Sequence, residues 1–292
     1  MNPLLDVPAP SLIAAGPWHD AEFASVRAAV EGDPPWRITP SIGDIIEHVG
    51  QGGAPPEIVL LAQHRPGCCE QADVERLRRL APLARVIVVA GAWCEGELRT
   101  GRPLTGVVRI YWHQFPAWWR AALRRLAHGE SPPWAEPLTD PRAAPAMPRG
   151  ANFAAGQSRA NAVDGRRLVV NTPDYAAYET LAAGMQGLGW NCQWQPRRRR
   201  VGHAETSFTN TISDAGIWDG GQLDEDELRE LAVFCRRLGG EQATVAVLLD
   251  FPRAEHVAQA CAAGAGAVIG KPYRVDWLHE ELTRLTADVE GG

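Results

Sequence analysis

The chain has 292 residues, 45% of them apolar and 22% charged, with a net charge of −6 and a pI near 5.8. That composition belongs to a globular protein long enough for two domains, and its acidic balance argues against broad nucleic-acid binding. No apolar run nears the roughly 20 residues of a membrane-spanning helix, the first ten residues lack the pattern of a secretory signal, and six cysteines do not read as a disulfide framework. A reducing, cytoplasmic setting is expected, with no membrane or nucleic-acid partner.

Two biases stand out. Tryptophan occurs 11 times, and of the 29 basic residues only Lys271 is a lysine. A single ammonium in a chain that otherwise uses guanidinium marks Lys271 as a position where a compact point charge is needed.

Short apolar runs at Leu12 to Ala15, Trp36 to Thr39, Ile58 to Leu61, Val86 to Ala90 and Val107 to Tyr111 read as strands separated by helical patterns. The fourth crossover, Trp93 to Pro103, has Gly and Pro punctuation and no sustained apolar face, which predicts a loop. Residues 129–165 are rich in Pro, Ala and Gly and read as a linker between domains at 1–128 and 166–292.

Beyond it the pattern resumes. Arg167 to Val170 reads as a strand, followed by a helical spacing of Tyr178, Leu181, Ala182, Met185 and Leu188. Asn191 to Gln195 and Ala215 to Trp218 are the next strands. A strong helix then places Leu228, Leu231, Ala232, Cys235 and Leu238 on one face, with acids in its first turn and Arg236 and Arg237 in its last. Thr244 to Leu249 and Ala267 to Ile269 are strands around a short helix at Val257 to Cys261, and Trp277 to Val289 is a final helix. Strands alternating with helices predict an α/β protein with parallel sheets. The flanks also repeat one another. Leu12 and Leu168, and Pro17 and Pro173, are each 156 residues apart; Glu57 and Asp214 are 157 apart; Val107 and Ala267 are 160 apart. Such constancy predicts two copies of one fold.

The second copy carries Asp214-Ala-Gly-Ile-Trp-Asp219 and Gly264-Ala-Gly-Ala-Val-Ile-Gly-Lys271-Pro272-Tyr273. With these segments, roughly residues 166–288 resemble the receiver domain of bacterial two-component response regulators. The resemblance implies two doubly wound five-stranded parallel sheets of strand order 2-1-3-4-5, in which the ends of strands 1, 3 and 5 meet at one crevice. It implies Asp219 as candidate phosphoacceptor and Lys271 as its phosphoryl contact, with the peptide before Pro272 a candidate cis bond. It places Asn171 and Thr172 where the family carries two acids for Mg²⁺. Leu249, followed by Asp250, stands where a hydroxyl is expected, and Val268 where an aromatic switch is expected. One carboxylate is a poor cage for a hard dication, so Mg²⁺ is expected to bind weakly at most, and no other cofactor is expected. In the first copy Ala62 occupies the acceptor place, Ala14 and Ala15 the acidic places, and no Lys-Pro follows Trp112. The resemblance therefore implies a non-enzymatic pseudo-receiver that works by recognising other signalling proteins, a histidine kinase among them.

A second reading makes the Trp93 to Arg102 loop of the first copy a small-molecule-binding or catalytic module, with a ligand or partner groove lined by Trp93, Glu95, Glu97, Arg99, Arg102, Trp112 and His113. His64, Cys68 and Cys69 share that edge, but adjacent cysteines chelate poorly and no metal site is expected. The glycine-rich run 264–270 precedes a strand and opens no helix, so it is no dinucleotide fingerprint. Arg197 to Arg200 reads as a solvated loop, and Trp118-Trp119 as core or interface packing.

Overall fold

The protein is described by a computed structural model covering residues 10–31, 36–135, 165–197, 213–239 and 244–290. It divides into two compact units, Met1–Ala151 and Asn152–Gly292.

In the first unit, β1 (Leu12–Ala15), β2 (Trp36–Thr39), β3 (Ile58–Gln63), β4 (Arg85–Ala90) and β5 (Val108–Tyr111) form one parallel sheet of order β2-β1-β3-β4-β5. β1 and β3 are buried at every position, as strands covered on both faces must be. Ile13, Ala15, Val59, Leu61, Val86 and Val88 face α2 (Ile42–Gly50) and α3 (Gln71–Leu80). Ile42, Ile45 and Ile46 supply the helical i, i+3, i+4 stripe of α2, and Ser41 N–H donates to Asp44 Oδ2 at 2.8 Å to close its first turn. On the other face α1 (Ala24–Val30) packs on α5 (Phe115–Ala127), which buries Trp118 and Trp119.

Two expectations need correction here. The fourth crossover is not a plain loop: a 3₁₀ turn at Ala92–Cys94 leads into the one-turn helix α4 (Glu97–Thr100). The cause is tertiary, because Glu97 is drawn inward to Arg109, and Gly96 and Gly101 confine the helix to one turn. The start of the Pro-rich stretch also belongs to the first unit. Pro133–Ala135 form a 3₁₀ turn, and Trp134 is buried with its ring centroid 5.2 Å from Trp119 and 5.7 Å from Trp118. The rest of the expected linker, 136–164, lies outside the described residues.

In the second unit, β6 (Arg166–Thr172), β7 (Trp190–Pro196), β8 (Ala215–Asp219), β9 (Val245–Asp250) and β10 (Ala267–Lys271) form a parallel sheet of order β7-β6-β8-β9-β10. Alternate residues feed two cores. Leu168, Val170, Ile217, Leu248 and Ile269 meet α6 (Tyr175–Gln186) and α9 (Val275–Glu290), while Val169, Trp218, Val245 and Val247 meet α7 (Glu225–Gly239) and α8 (Ala254–Ala262). Both sheets thus have the 2-1-3-4-5 order.

The registers repeat as well. Leu12 faces Trp36 and Ile58, and Leu168 faces Cys192 and Ala215, which puts offsets of 156 and 157 residues into three-dimensional correspondence. At the last strand Ile87 faces Val108 and Ala246 faces Ala267, an offset of 159. The spacing of 160 taken from Val107 and Ala267 is therefore one residue off. A one-residue slip exchanges the two faces of a strand, so only the register fixes the pairing.

Candidate functional site

The carboxyl ends of β6, β8, β9 and β10 deliver Thr172, Asp219, Asp250 and Lys271 to one edge of the second sheet. Lys271 Nζ lies 2.7 Å from Asp219 Oδ1, donates to the Gly220 carbonyl at 2.6 Å and reaches Asp250 Oδ1 at 3.3 Å. The ammonium thus lies among three acceptors, a carbonyl that it hydrogen-bonds and two carboxylates that it pairs with. Thr172 Oγ1 donates to Asp219 Oδ2 at 2.7 Å and accepts the Asp174 N–H at 3.2 Å. Both oxygens of Asp219 are thereby engaged. The Lys271–Pro272 peptide is cis.

The remaining residues expected at this edge behave differently. Asn171 is buried, 2% exposed, and its Oδ1 has no hydrogen-bond partner among the described residues. Asp174 spends its carboxylate capping α6, accepting the Ala176 N–H at 2.9 Å. Leu249 is buried in the core under α7 and α8, so the fourth strand reaches the edge through Asp250, which stands in register with Lys271.

Arg197 overturns the expectation of a solvated run. It follows β7, whose pairing ends with Thr172 opposite Pro196, and this brings its guanidinium beside Asp219. Nη2 donates to the Asp219 carbonyl at 2.7 Å and lies 3.1 Å from Glu227 Oε1, and the guanidinium sits 4.4 Å from the Trp218 ring centroid. Desolvation pulls Arg197 down from its usual value, and burial pushes Glu227 up against the opposing charge of Arg197. Arg198 to Arg200 lie outside the described residues. Arg197, Asp219, Glu227, Glu230, Asp250 and Lys271 line an open cleft of about 500 Å³. Arg197, Glu227 and Asp250 were not singled out from sequence as site residues. The signal available was position: Asp250 directly follows a predicted strand at the carboxyl edge, and Arg197 lies two residues past another.

The groove expected in the first unit does not form as one surface. Trp93 is 75% exposed, Arg99 and Arg102 are exposed, and Glu95 is half-buried. Glu97, Trp112 and His113 are buried. Glu97 Oε2 pairs with Arg109 Nη2 at 2.6 Å, and Arg109 Nη1 donates to Gln63 Oε1 at 2.9 Å, so the charge meant for a ligand is neutralised inside the fold. Trp112 and His113 are core residues because β5 carries them under the start of α5. His113 is pushed down to about 4 by desolvation, and the nearest carboxylate oxygen, Glu95 Oε1, is 3.9 Å away, beyond hydrogen-bond reach. Ala62 is buried in the place that Asp219 takes in the second unit. Among the described residues no group of three or more His, Cys, Asp or Glu is arranged to hold a metal ion, and no helix is long and apolar enough to cross a membrane.

No protein-family model and no curated protein matches the sequence. Solved structures do. A response regulator from Thermotoga maritima is 19% identical, with a TM-score of 0.34, over 42% of this chain and 99% of that one. A Francisella response-regulator receiver domain is 13% identical, with a TM-score of 0.33, over 43% and 99%. A Burkholderia pseudomallei response regulator, solved with a phosphorylated aspartic acid, calcium ion and citrate, is 17% identical, with a TM-score of 0.34, over 43% and 71%. The strand orders and registers, rather than these likenesses, fix the architecture. Both units have the receiver-type fold. The receiver-like Asp219 edge is confined to the second of them.

Proposed function

We propose that the chain is a regulatory protein of bacterial signal transduction, a tandem pseudo-receiver that acts by protein–protein recognition and not by catalysis. The single observation that carries this reading is the internal closure of Asp219. Its carboxylate pairs with Lys271 on one oxygen and accepts from the Thr172 hydroxyl on the other, and the same lysine already hydrogen-bonds the Gly220 carbonyl and pairs with Asp250. A phosphoryl group arriving at Asp219 has to displace contacts already made, with no stabilising charge added.

The receiver-type fold implies Mg²⁺ at this edge, and the donor set does not fit it. A hard dication needs several oxygen donors free of competing protons. Asp219 is occupied, Asp250 faces Lys271, and the unpartnered Asn171 Oδ1 is a neutral amide oxygen. Asp219 therefore serves as an anchor that holds the edge in one arrangement for a partner, which is another signalling protein such as a histidine kinase. The cytoplasm is the matching compartment.

The test is titration of the full chain with beryllofluoride at millimolar Mg²⁺, read by tryptophan fluorescence. Trp218 touches the edge through Arg197, and subtraction of the Asp219→Asn variant isolates the part of the signal that depends on Asp219. A flat response is expected. A saturable change that Asp219→Asn removes sinks the pseudo-receiver reading and restores a phosphorylated switch.

A further inference from the structure

The loop that follows β3 in the first unit occupies the place where the second unit, after Asp219, carries Gly220 and Gly221. In the first unit this loop holds Cys68 and Cys69. Cys68 is exposed and Cys69 partly buried, and their sulfurs are 4.0 Å apart. We propose that Cys68 and Cys69 form a reversible dithiol–disulfide couple, a redox modification site of the first unit whose oxidant is a hydroperoxide. This site is independent of the reading given to Asp219.

The environments of the two thiols divide the labour. The two sulfurs share a hydrogen bond in which either thiol can donate, and that contact, with backbone hydrogen bonding at Arg65 and the nearby His64 ring, holds Cys68 down to about 6. A thiol of that kind is a thiolate at neutral pH, and the thiolate is the nucleophile. Cys69 is pushed far up, first by the same hydrogen bond and then by burial, so it keeps its proton until it is needed. Buried Cys94 is near enough to add to that shift, but desolvation drives it up to about 12 and its thiol is committed to the Gln63 carbonyl at 3.2 Å. It is unreactive by the same criteria that make Cys68 reactive.

The chemistry balances within the pair and the oxidant. The Cys68 thiolate attacks one peroxide oxygen; the S–O bond forms, the O–O bond breaks, and the departing alkoxide takes a proton to leave as an alcohol. The Cys69 sulfur then attacks the Cys68 sulfenic sulfur. The S–S bond forms, the S–O bond breaks, and hydroxide leaves as water with the Cys69 proton. Two thiols lose two electrons and the hydroperoxide gains them.

Geometry also makes the product easy to reverse. Adjacent Cα atoms are about 3.8 Å apart, less than the roughly 4.4–6.8 Å that unstrained disulfides span. A strained, exposed disulfide has a high reduction potential and reopens readily with dithiols, which suits a signal more than a staple. The pair lies at the carboxyl edge of the first sheet, where Ala62 leaves no acceptor for a phosphoryl group.

The experiment uses the full chain, with Cys261 as an internal control, since it too is exposed and desolvation raises its thiol. Alkylation is followed by mass spectrometry. Trypsin does not cut between Arg65 and Pro66, so both loop cysteines fall in one peptide, residues 38–76, separate from Cys94. At pH 6, Cys68 should react on the order of tenfold faster than Cys261, the thiolate excess being partly offset by lower intrinsic nucleophilicity. After brief hydrogen peroxide treatment the 38–76 peptide should lose two hydrogens and both alkylation sites, and dithiothreitol should restore them. Cys69→Ser should instead leave a sulfenic acid at position 68 that dimedone traps, and Cys68→Ser should block oxidation. Overturning results are a 38–76 peptide that stays fully alkylatable under peroxide, Cys68 reacting no faster than Cys261, or the disulfide forming to Cys94.

Discussion

Thr172 Oγ1 lies 2.7 Å from Asp219 Oδ2, the carboxylate oxygen that Lys271 does not hold. A neutral hydroxyl donor stands where a second anion would be needed to share a cation with Asp219. The contact engages the second oxygen of the carboxylate from within the fold.

Restoring the anions should restore the cation. Asn171→Asp together with Thr172→Asp adds two carboxylates at the end of β6, the second at the position that contacts Asp219, where the native side chains are 2% and 1% exposed. Without a divalent ion, like charges at short range should lower the stability of the second unit. Millimolar Mg²⁺ should raise its unfolding midpoint, while the wild type should not respond. Calorimetry with and without Mg²⁺ checks both, and equal responses of the two proteins would count against the donor-set argument.

Lys271→Met removes the partner of Asp219. The lysine side chain is 29% exposed and the aspartate 16%, so the pair is neither fully buried nor solvated. The expected loss is about 1–3 kcal/mol, between the cost of breaking buried and exposed pairs. Urea unfolding reads it. A loss below about 0.5 kcal/mol would mean that water in the cleft replaces the ammonium at no net cost.

The Glu97–Arg109 pair is the buried counterpart, with side chains 2% and 7% exposed. Glu97→Leu should destabilise the first unit by about 3–5 kcal/mol, because an unpaired guanidinium is left inside. Glu97→Leu with Arg109→Met should recover most of that loss. If the double variant is no better than the single, the pair matters through packing and not through charge.

His113 predicts a pH dependence. Desolvation pushes it down to about 4 from an ordinary value of 6.5, so the unfolded chain binds the proton more tightly than the folded one. Stability of the first unit is fully present above pH 6.5 and should fall as the pH drops from 6.5 to about 4, by up to about 3 kcal/mol. His113→Gln should flatten that slope. Unfolding midpoints of the two proteins at several pH values give the comparison, and parallel slopes would assign the dependence to other groups.

The sequence by itself determined the architecture. Runs such as Ile58–Leu61 and Val245–Leu249 are apolar at every position, as strands covered on both faces are, and the repeat spacing near 156 announced two copies. Asp219 and Lys271 were legible too, since strand ends of a doubly wound sheet converge whatever lies between them. What the tertiary structure alone decided is where long polar side chains end. Glu97 and Arg102 look alike in sequence, yet one turns inward to Arg109 and the other stays in water. Arg197 opens a run of four arginines that reads as solvated, yet it packs on Trp218 and bonds the Asp219 carbonyl. Backbone periodicity is a local property and is written in the chain. The partner of a flexible charged side chain depends on which distant residue the fold brings within about 3 Å, and no local pattern records that distance.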